Sequence, residues 1–193
     1  MNDFSFYFGI GWEHIINLSA LDHLLFIAAL AAIYMLKDWK QVLVLVTAFT
    51  IGHTITLILS TKQWVVVNDK WVEFLIPCTI VITAISNLLQ RKFSSRGIRV
   101  NYFLALFFGL IHGLAFANTL RMILASDQSF ALSMFSFSLG LESGQILVVI
   151  TVLLLSQLFI GLLHINRKMW VIFLSLIVIA FAIQMIVQRA HLL

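Results

Sequence analysis

His23, His53 and His112 stand on three separate hydrophobic stretches of this chain, with Asp22 beside the first and Glu142 inside a further stretch. His14 comes just before the first stretch. Neutral imidazole is a ligand for nickel, cobalt and zinc, and a carboxylate extends the donor set. Ionisable groups in hydrocarbon cost roughly 2.5–3.5 kcal/mol each on insertion scales, so chains that keep them there generally use them. The chemistry these residues point to is a buried metal site or a proton site, with His14, Asp22, His23, His53, His112 and Glu142 as its candidate ligands.

Neighbouring polar residues have the spacing to orient such ligands. Ser19 precedes His23 by one helical turn, Thr50 lies at i−3 from His53, and Gln145 at i+3 from Glu142. Groups at these positions can hold a ring or a carboxylate in its binding orientation. Glu73, at the head of the third stretch, is a further candidate of this kind, or else an interfacial residue facing the lipid headgroups. The competing reading of any single histidine is a hydrogen-bonded packing residue. His164 and His191 lie near stretch ends and Glu13 is expected in water, so none of them enters the site.

Composition defines the elements that must carry these groups. Of 193 residues, 62% are hydrophobic and 10% charged, with a mean hydropathy of +1.06. That excludes an ordinary soluble domain, and the apolar runs are too long for barrel strands. The expectation is an all-α polytopic membrane bundle, a single integral membrane domain over residues 1–193. About six transmembrane helices are predicted, at 19–36, 41–60, 71–89, 100–124, 130–163 and 169–188. An aromatic, mildly amphipathic segment at 4–18, with Tyr7 and Trp12, reads as an interfacial helix before the first span. The fifth run exceeds the roughly 20 residues a crossing needs, so it is either strongly tilted or begins with a separate short element. Pro77 is expected to kink the third span.

Residues 1–8 carry Asp3 and no basic residue, so no cleaved signal peptide is expected. The single cysteine, Cys78, excludes an internal disulfide and a thiolate cluster. Scattered cations give no surface for nucleic acid. No internal repeat is evident.

Cations also orient the chain. With six spans, one side holds eight of them: Lys37, Lys40, Arg91, Lys92, Arg96, Arg99, Arg167 and Lys168. The other side holds four, Lys62, Lys70, Arg121 and Arg189. The positive-inside bias places the first side in the cytoplasm and both termini outside, in the periplasm of a bacterial inner membrane. Asp22, His23, Glu73 and His53 then fall in the outer half of the bilayer, and His112 and Glu142 near its middle. The inner half has little besides Thr47, Ser86, Asn87 and Asn101, so the site is expected to open outward.

Glycines suggest which helices meet. Gly109 and Gly113 flank His112, and Gly140 and Gly144 flank Glu142, in two GxxxG pairs. Small residues four apart let transmembrane backbones approach closely. The fourth and fifth spans are therefore expected to touch, bringing His112 to Glu142.

Gly11-Trp12-Glu13-His14 followed by Leu21-Asp22-His23-Leu24-Leu25-Phe26 resembles the first signature of the HupE/UreJ family. The run from Thr47 to Leu57, containing Thr50-Ile51-Gly52-His53, resembles its second, and Val72-Glu73 with Asn87 its third-span pattern. Gly109-Leu110-Ile111-His112-Gly113-Leu114-Ala115-Phe116-Ala117 and Phe137-Ser138-Leu139-Gly140-Leu141-Glu142-Ser143-Gly144-Gln145 complete the likeness. The resemblance implies a bacterial inner-membrane permease for nickel or cobalt, with His14, Asp22 and His23 metal-related. Three departures accompany it. The interval between His14 and Asp22 is wider than usual, which moves His14 about half a turn round a continuous helix or requires a break. Ser138 replaces a usual asparagine, and Ala115 a usual glycine.

Two functions follow as expectations. One is uptake of a nickel or cobalt ion, captured from outside by imidazole and carboxylate. The other, suggested by a looser similarity to the CREST group of membrane hydrolases, is a zinc-dependent intramembrane hydrolase. There three histidines would hold zinc, and Asp22 or Glu142 would act as general base toward a lipid or lipid-linked substrate.

Overall fold

The computed structural model describes residues 3–18, 21–90, 95–123 and 129–191. Ser19 lies outside the described residues. The described chain is helical throughout, as expected: α1 (Asp3–Ile16), α2 (Leu21–Ala31), α3 (Trp39–Thr61), α4 (Asp69–Leu89), α5 (Ser95–Ala115), α6 (Ala117–Ile123), α7 (Phe130–Ser156) and α8 (Arg167–Ala190). A single 3-10 turn, Leu36–Asp38, leads into α3, and a π-helical stretch, Gln157–Leu162, prolongs α7.

Local chemistry sets several boundaries. Asn68 and Asn166 cap α4 and α8 by accepting from the backbone N–H of Lys70 and Lys168, at 3.0 and 2.9 Å. Gln63 and His164 take left-handed backbone conformations (φ 59° and 53°) just past the ends of α3 and of the π-helical stretch. Such residues close helices by turning the chain out of the ladder. The helix α4 runs on through Pro77 without ending.

Four helices are long and apolar enough to cross a bilayer alone: α3 with its leading turn, α4, α7 with its π-helical stretch, and α8. Two crossings are broken. The pair α1 and α2 is bent by 69°, and the pair α5 and α6 by 51° at Phe116. Counting each pair as one crossing gives six, the number expected from the sequence. The first crossing differs in detail from the expected span. At 1.5 Å per residue the 11-residue α2 covers only about half the hydrocarbon thickness. The N-terminal helix expected at the interface is instead packed along α7, burying Tyr7, Gly11 and Ile15. The long fifth run is one α-helix whose last turns, not its first, form a distinct element.

The glycines explain the packing, and here the expected pairing is corrected. A Cβ on Gly109 or Gly113 would overlap the backbone carbonyls of Phe49 and His53 on α3. On Gly140 it would overlap the carbonyl of Phe8, and on Gly144 it would crowd Ile15 and Trp12, all on α1. The two GxxxG faces therefore seat α3 and α1 respectively, rather than each other. The partners answer in kind, Gly52 of α3 against Leu106 and Gly11 of α1 against Phe137. Contacts ascend together in both pairs, so the helices are parallel. Phe8-x-x-Gly11 on Phe137-x-x-Gly140-x-x-x-Gly144 repeats, position for position, Phe49-x-x-Gly52 on Leu106-x-x-Gly109-x-x-x-Gly113. This is a duplicated packing unit that the separated sequence segments conceal.

Large apolar side chains cover the outside: Val44, Ile51 and Ile55 of α3, Phe103 and Phe107 of α5, Leu147 and Leu154 of α7, and Phe173 of α8 are exposed. That surface suits lipid, as the composition implies.

Candidate metal centre

Three helices bring one histidine each together, and a fourth helix sets another beside them. The ligand atoms of His14, His23 and His53 all lie within 4.8 Å of one another. Ring centroids are 4.6 Å apart for His14 and His23, and 5.8 Å for His53 with either. His112 stands 5.2 Å from His23, ring to ring, which extends the cluster to a fourth imidazole. His53 and His112 are fully buried and His23 is 5% exposed.

Their polar atoms have few other uses. His112 places Nδ1 2.8 Å from the carbonyl oxygen of Phe108. A carbonyl only accepts, so Nδ1 carries the proton and the Nε2 lone pair is left free. That Nε2, both ring nitrogens of His23, both of His53 and Nε2 of His14 are buried without a hydrogen-bond partner. Each unsatisfied buried polar atom costs about 1–3 kcal/mol. Packing histidines would be bonded to protein, whereas these offer lone pairs to a shared volume. A divalent transition-metal ion fits that donor set.

The helix arrangement accounts for the convergence. Gly113 receives α3 at His53 itself, and Gly144 receives α1 beside His14. Each glycine pair thus presses a histidine-bearing helix inward. The wide interval between His14 and Asp22 is taken up by the break between α1 and α2, so His14 turns into the cluster rather than around a continuous helix.

Aromatic rings line the site. Phe116, at the break between α5 and α6, lies 4.1 Å from the ring of His14 and stacks on Phe137 at 5.4 Å. On the other side Phe49 and Phe26 stand 5.1 and 5.3 Å from His112. The signature segments contain these phenylalanines, but nothing in composition gave them a role at the site. Their register does: Phe26 follows His23 by three residues, and Phe49 and Phe108 precede their histidines by four.

The carboxylates are engaged elsewhere. Asp22 pairs with Arg189 of α8, Nη2 to Oδ2 at 2.8 Å. Glu142 accepts from the Thr47 hydroxyl at 2.6 Å. Thr50 and Gln145 bond to each other, Thr50 Oγ1 to Gln145 Oε1 at 2.8 Å, instead of orienting His53 and Glu142. Thr54 and Ser138 continue this line between α3 and α7, their hydroxyls 2.8 Å apart. The exposed Glu73 contributes its backbone carbonyl to Arg189. Arg189 was missed by sequence reasoning, because a cation at the end of the last span looks like an ordinary flank.

The fold and site together define a polytopic membrane protein with a cluster of histidines between its helices that could hold a metal ion. The chain belongs to the HupE/UreJ family: the family described as HupE / UreJ protein matches residues 1–189. That family is linked to metal transport. No curated protein and no solved structure matches the chain.

Proposed function

We propose that this protein is an uptake permease for a divalent transition-metal ion, nickel or cobalt, in a bacterial inner membrane. His14, His23 and His53 are its primary ligands and His112 the fourth. The observation that carries this reading is the set of unpartnered imidazole nitrogens from four helices, three of the rings mutually close and the fourth against His23. Borderline-soft nitrogen donors suit nickel and cobalt, and their neutrality keeps the binding of a doubly charged ion reversible. The cation asymmetry of the loops supports both termini lying in the periplasm, with the Asp22 and Arg189 end of the bundle facing outward.

The ion would enter from that end, past Phe116 and Phe137, whose stacked rings cover His14. Because Phe116 sits at the break between α5 and α6, a change in that bend would uncover the site without unwinding either helix. A hydrolase would instead need a carboxylate free to act on a metal-bound water. Asp22 is paired with Arg189 and Glu142 is bonded by Thr47, which favours transport over hydrolysis.

The test is nickel and zinc counting on purified protein, followed by radiolabelled nickel uptake into proteoliposomes. Nickel bound near one equivalent and carried inward supports the permease. Zinc held tightly, with no movement of any ion, would overturn it.

A further inference from the structure

Below the histidines, toward the end where α8 begins, the bundle is layered. Phe26, Phe49 and Phe108 each sit one turn from a cluster histidine on the same helix, all displaced in that one direction. The direction is common because α3 and α5 are parallel, and α2 runs opposite to α3 with Phe26 stacked on Phe49 at 4.8 Å. Phe108 closes the layer 6.0 Å from Phe26. All three rings are buried.

Directly under Phe108 is a small cavity of about 10 Å³, lined also by Thr83, Ser86, Asn87 and Asn101. That is roughly the space of one water. Half of its lining is polar, two carboxamides and two hydroxyls from α4 and α5, and half is apolar, Phe108 with Leu30, Leu104 and Ala105. Asn87 donates through Nδ2 to the Ala29 carbonyl at 2.6 Å, and Asn101 through Nδ2 to the Tyr34 hydroxyl at 3.2 Å. Both amides donate to protein through Nδ2, and each also carries a carbonyl oxygen, the acceptor end of the group. Asn87 is buried and Asn101 half-buried, and such amides are costly in a membrane unless they are used.

We propose that Asn87 and Asn101, with Ser86 and Thr83, form a second cation station that takes the metal ion after it passes the phenylalanine layer on its way to the cytoplasm. The proposal rests on the metal-uptake reading and supplies what that reading needs, a polar stopping place in the inner half of the protein. Neutral oxygen donors hold a late first-row ion more weakly than imidazole does. The ion therefore meets falling affinity along the route, which favours release. The phenylalanine layer separates the two stations, so opening it is the step that commits the ion to the inside.

Asn101→Leu and Asn87→Leu remove the oxygens at nearly constant volume. Each would be tested with nickel alone, by equilibrium binding to purified protein and by uptake into proteoliposomes beside the unmodified protein. The expected result is unchanged nickel binding with uptake slowed about tenfold or more, a change in passage rather than in capture. Asn87 also ties α4 to α2, so if its variant no longer binds nickel, Asn101→Leu alone decides. Asn101→Leu with normal binding and normal uptake overturns the second station and leaves the permease intact. Unmodified protein that binds nickel and carries none overturns both.

Discussion

The Asp22 carboxylate receives Nη2 of Arg189 on both its oxygens, at 2.8 and 3.2 Å, while Nη1 of the same guanidinium donates to the Glu73 carbonyl at 2.7 Å. One cation from the end of α8 therefore ties together the heads of α2 and α4, immediately beside His23. For Asp22 to join a metal's ligands this pair has to open. Arg189→Gln would relieve a fixed positive charge near the site and free Asp22. Nickel binding to that variant is expected to tighten by about tenfold, equivalent to about 1.4 kcal/mol. Isothermal titration measures it, and an unchanged or weaker affinity would show that the pair is only a clamp.

Ligand deletion should rank the histidines. His14→Ala, His23→Ala and His53→Ala each remove one of three mutually close donors and are expected to weaken nickel binding about 100-fold or more. His112→Ala should cost less, about tenfold, because its Nε2 stands outside that triplet and approaches it through His23. Equal losses at all four positions would argue for a symmetrical four-histidine site. No loss at His14 would remove α1 from the centre.

Much of this arrangement could be read in the chain. Helix number and the histidine set followed from hydropathy and from the cost of imidazole in hydrocarbon. The destinations of side chains did not. Asp22 looked like a ligand because it adjoins His23, but residues adjacent on a helix point about 100° apart, and Asp22 turns to Arg189. The glycine pairs announced close approach without naming the partner, since GxxxG specifies a smooth face and nothing about what lies on it. The doubled packing unit was invisible because one half, α3 with α5, is nested along the chain inside the other, α1 with α7, and they share only a few residues.

Those glycines make a stability prediction with an internal control. A methyl on Gly113 would collide with the His53 carbonyl and the Thr56 hydroxyl, and one on Gly140 with the Phe8 carbonyl. Gly113→Ala and Gly140→Ala should each destabilise the protein by about 1–3 kcal/mol, as overpacking does, and should also weaken nickel binding. Gly9 has nothing within 4 Å of a built Cβ, so Gly9→Ala should behave as wild type. Thermal unfolding in detergent, with and without nickel, separates the three. Gly113→Ala at wild-type stability would mean that α3 and α5 are not in backbone contact.

Glu142 gives the sharpest contrast between a ligand and a strut. Its Oε1 accepts from Thr47 at 2.6 Å, one rung of a line of polar pairs that continues through Thr50 with Gln145 and Thr54 with Ser138, each at 2.8 Å. All three join α3, which carries His53, to α7, which seats the helix of His14. Interhelical hydrogen bonds of this kind contribute about 0.6 kcal/mol each on average within membranes, enough together to fix the register of two helices. Glu142→Gln keeps an acceptor for Thr47 and removes only the charge, whereas Glu142→Leu removes both. If the residue is a strut, Glu142→Gln should bind nickel as wild type does and unfold at the same temperature, while Glu142→Leu loses about 1 kcal/mol of stability. If the charge itself holds the ion, Glu142→Gln should weaken binding as strongly as loss of a histidine. The bond to Thr47 predicts the first outcome, and titrating both variants with nickel distinguishes them.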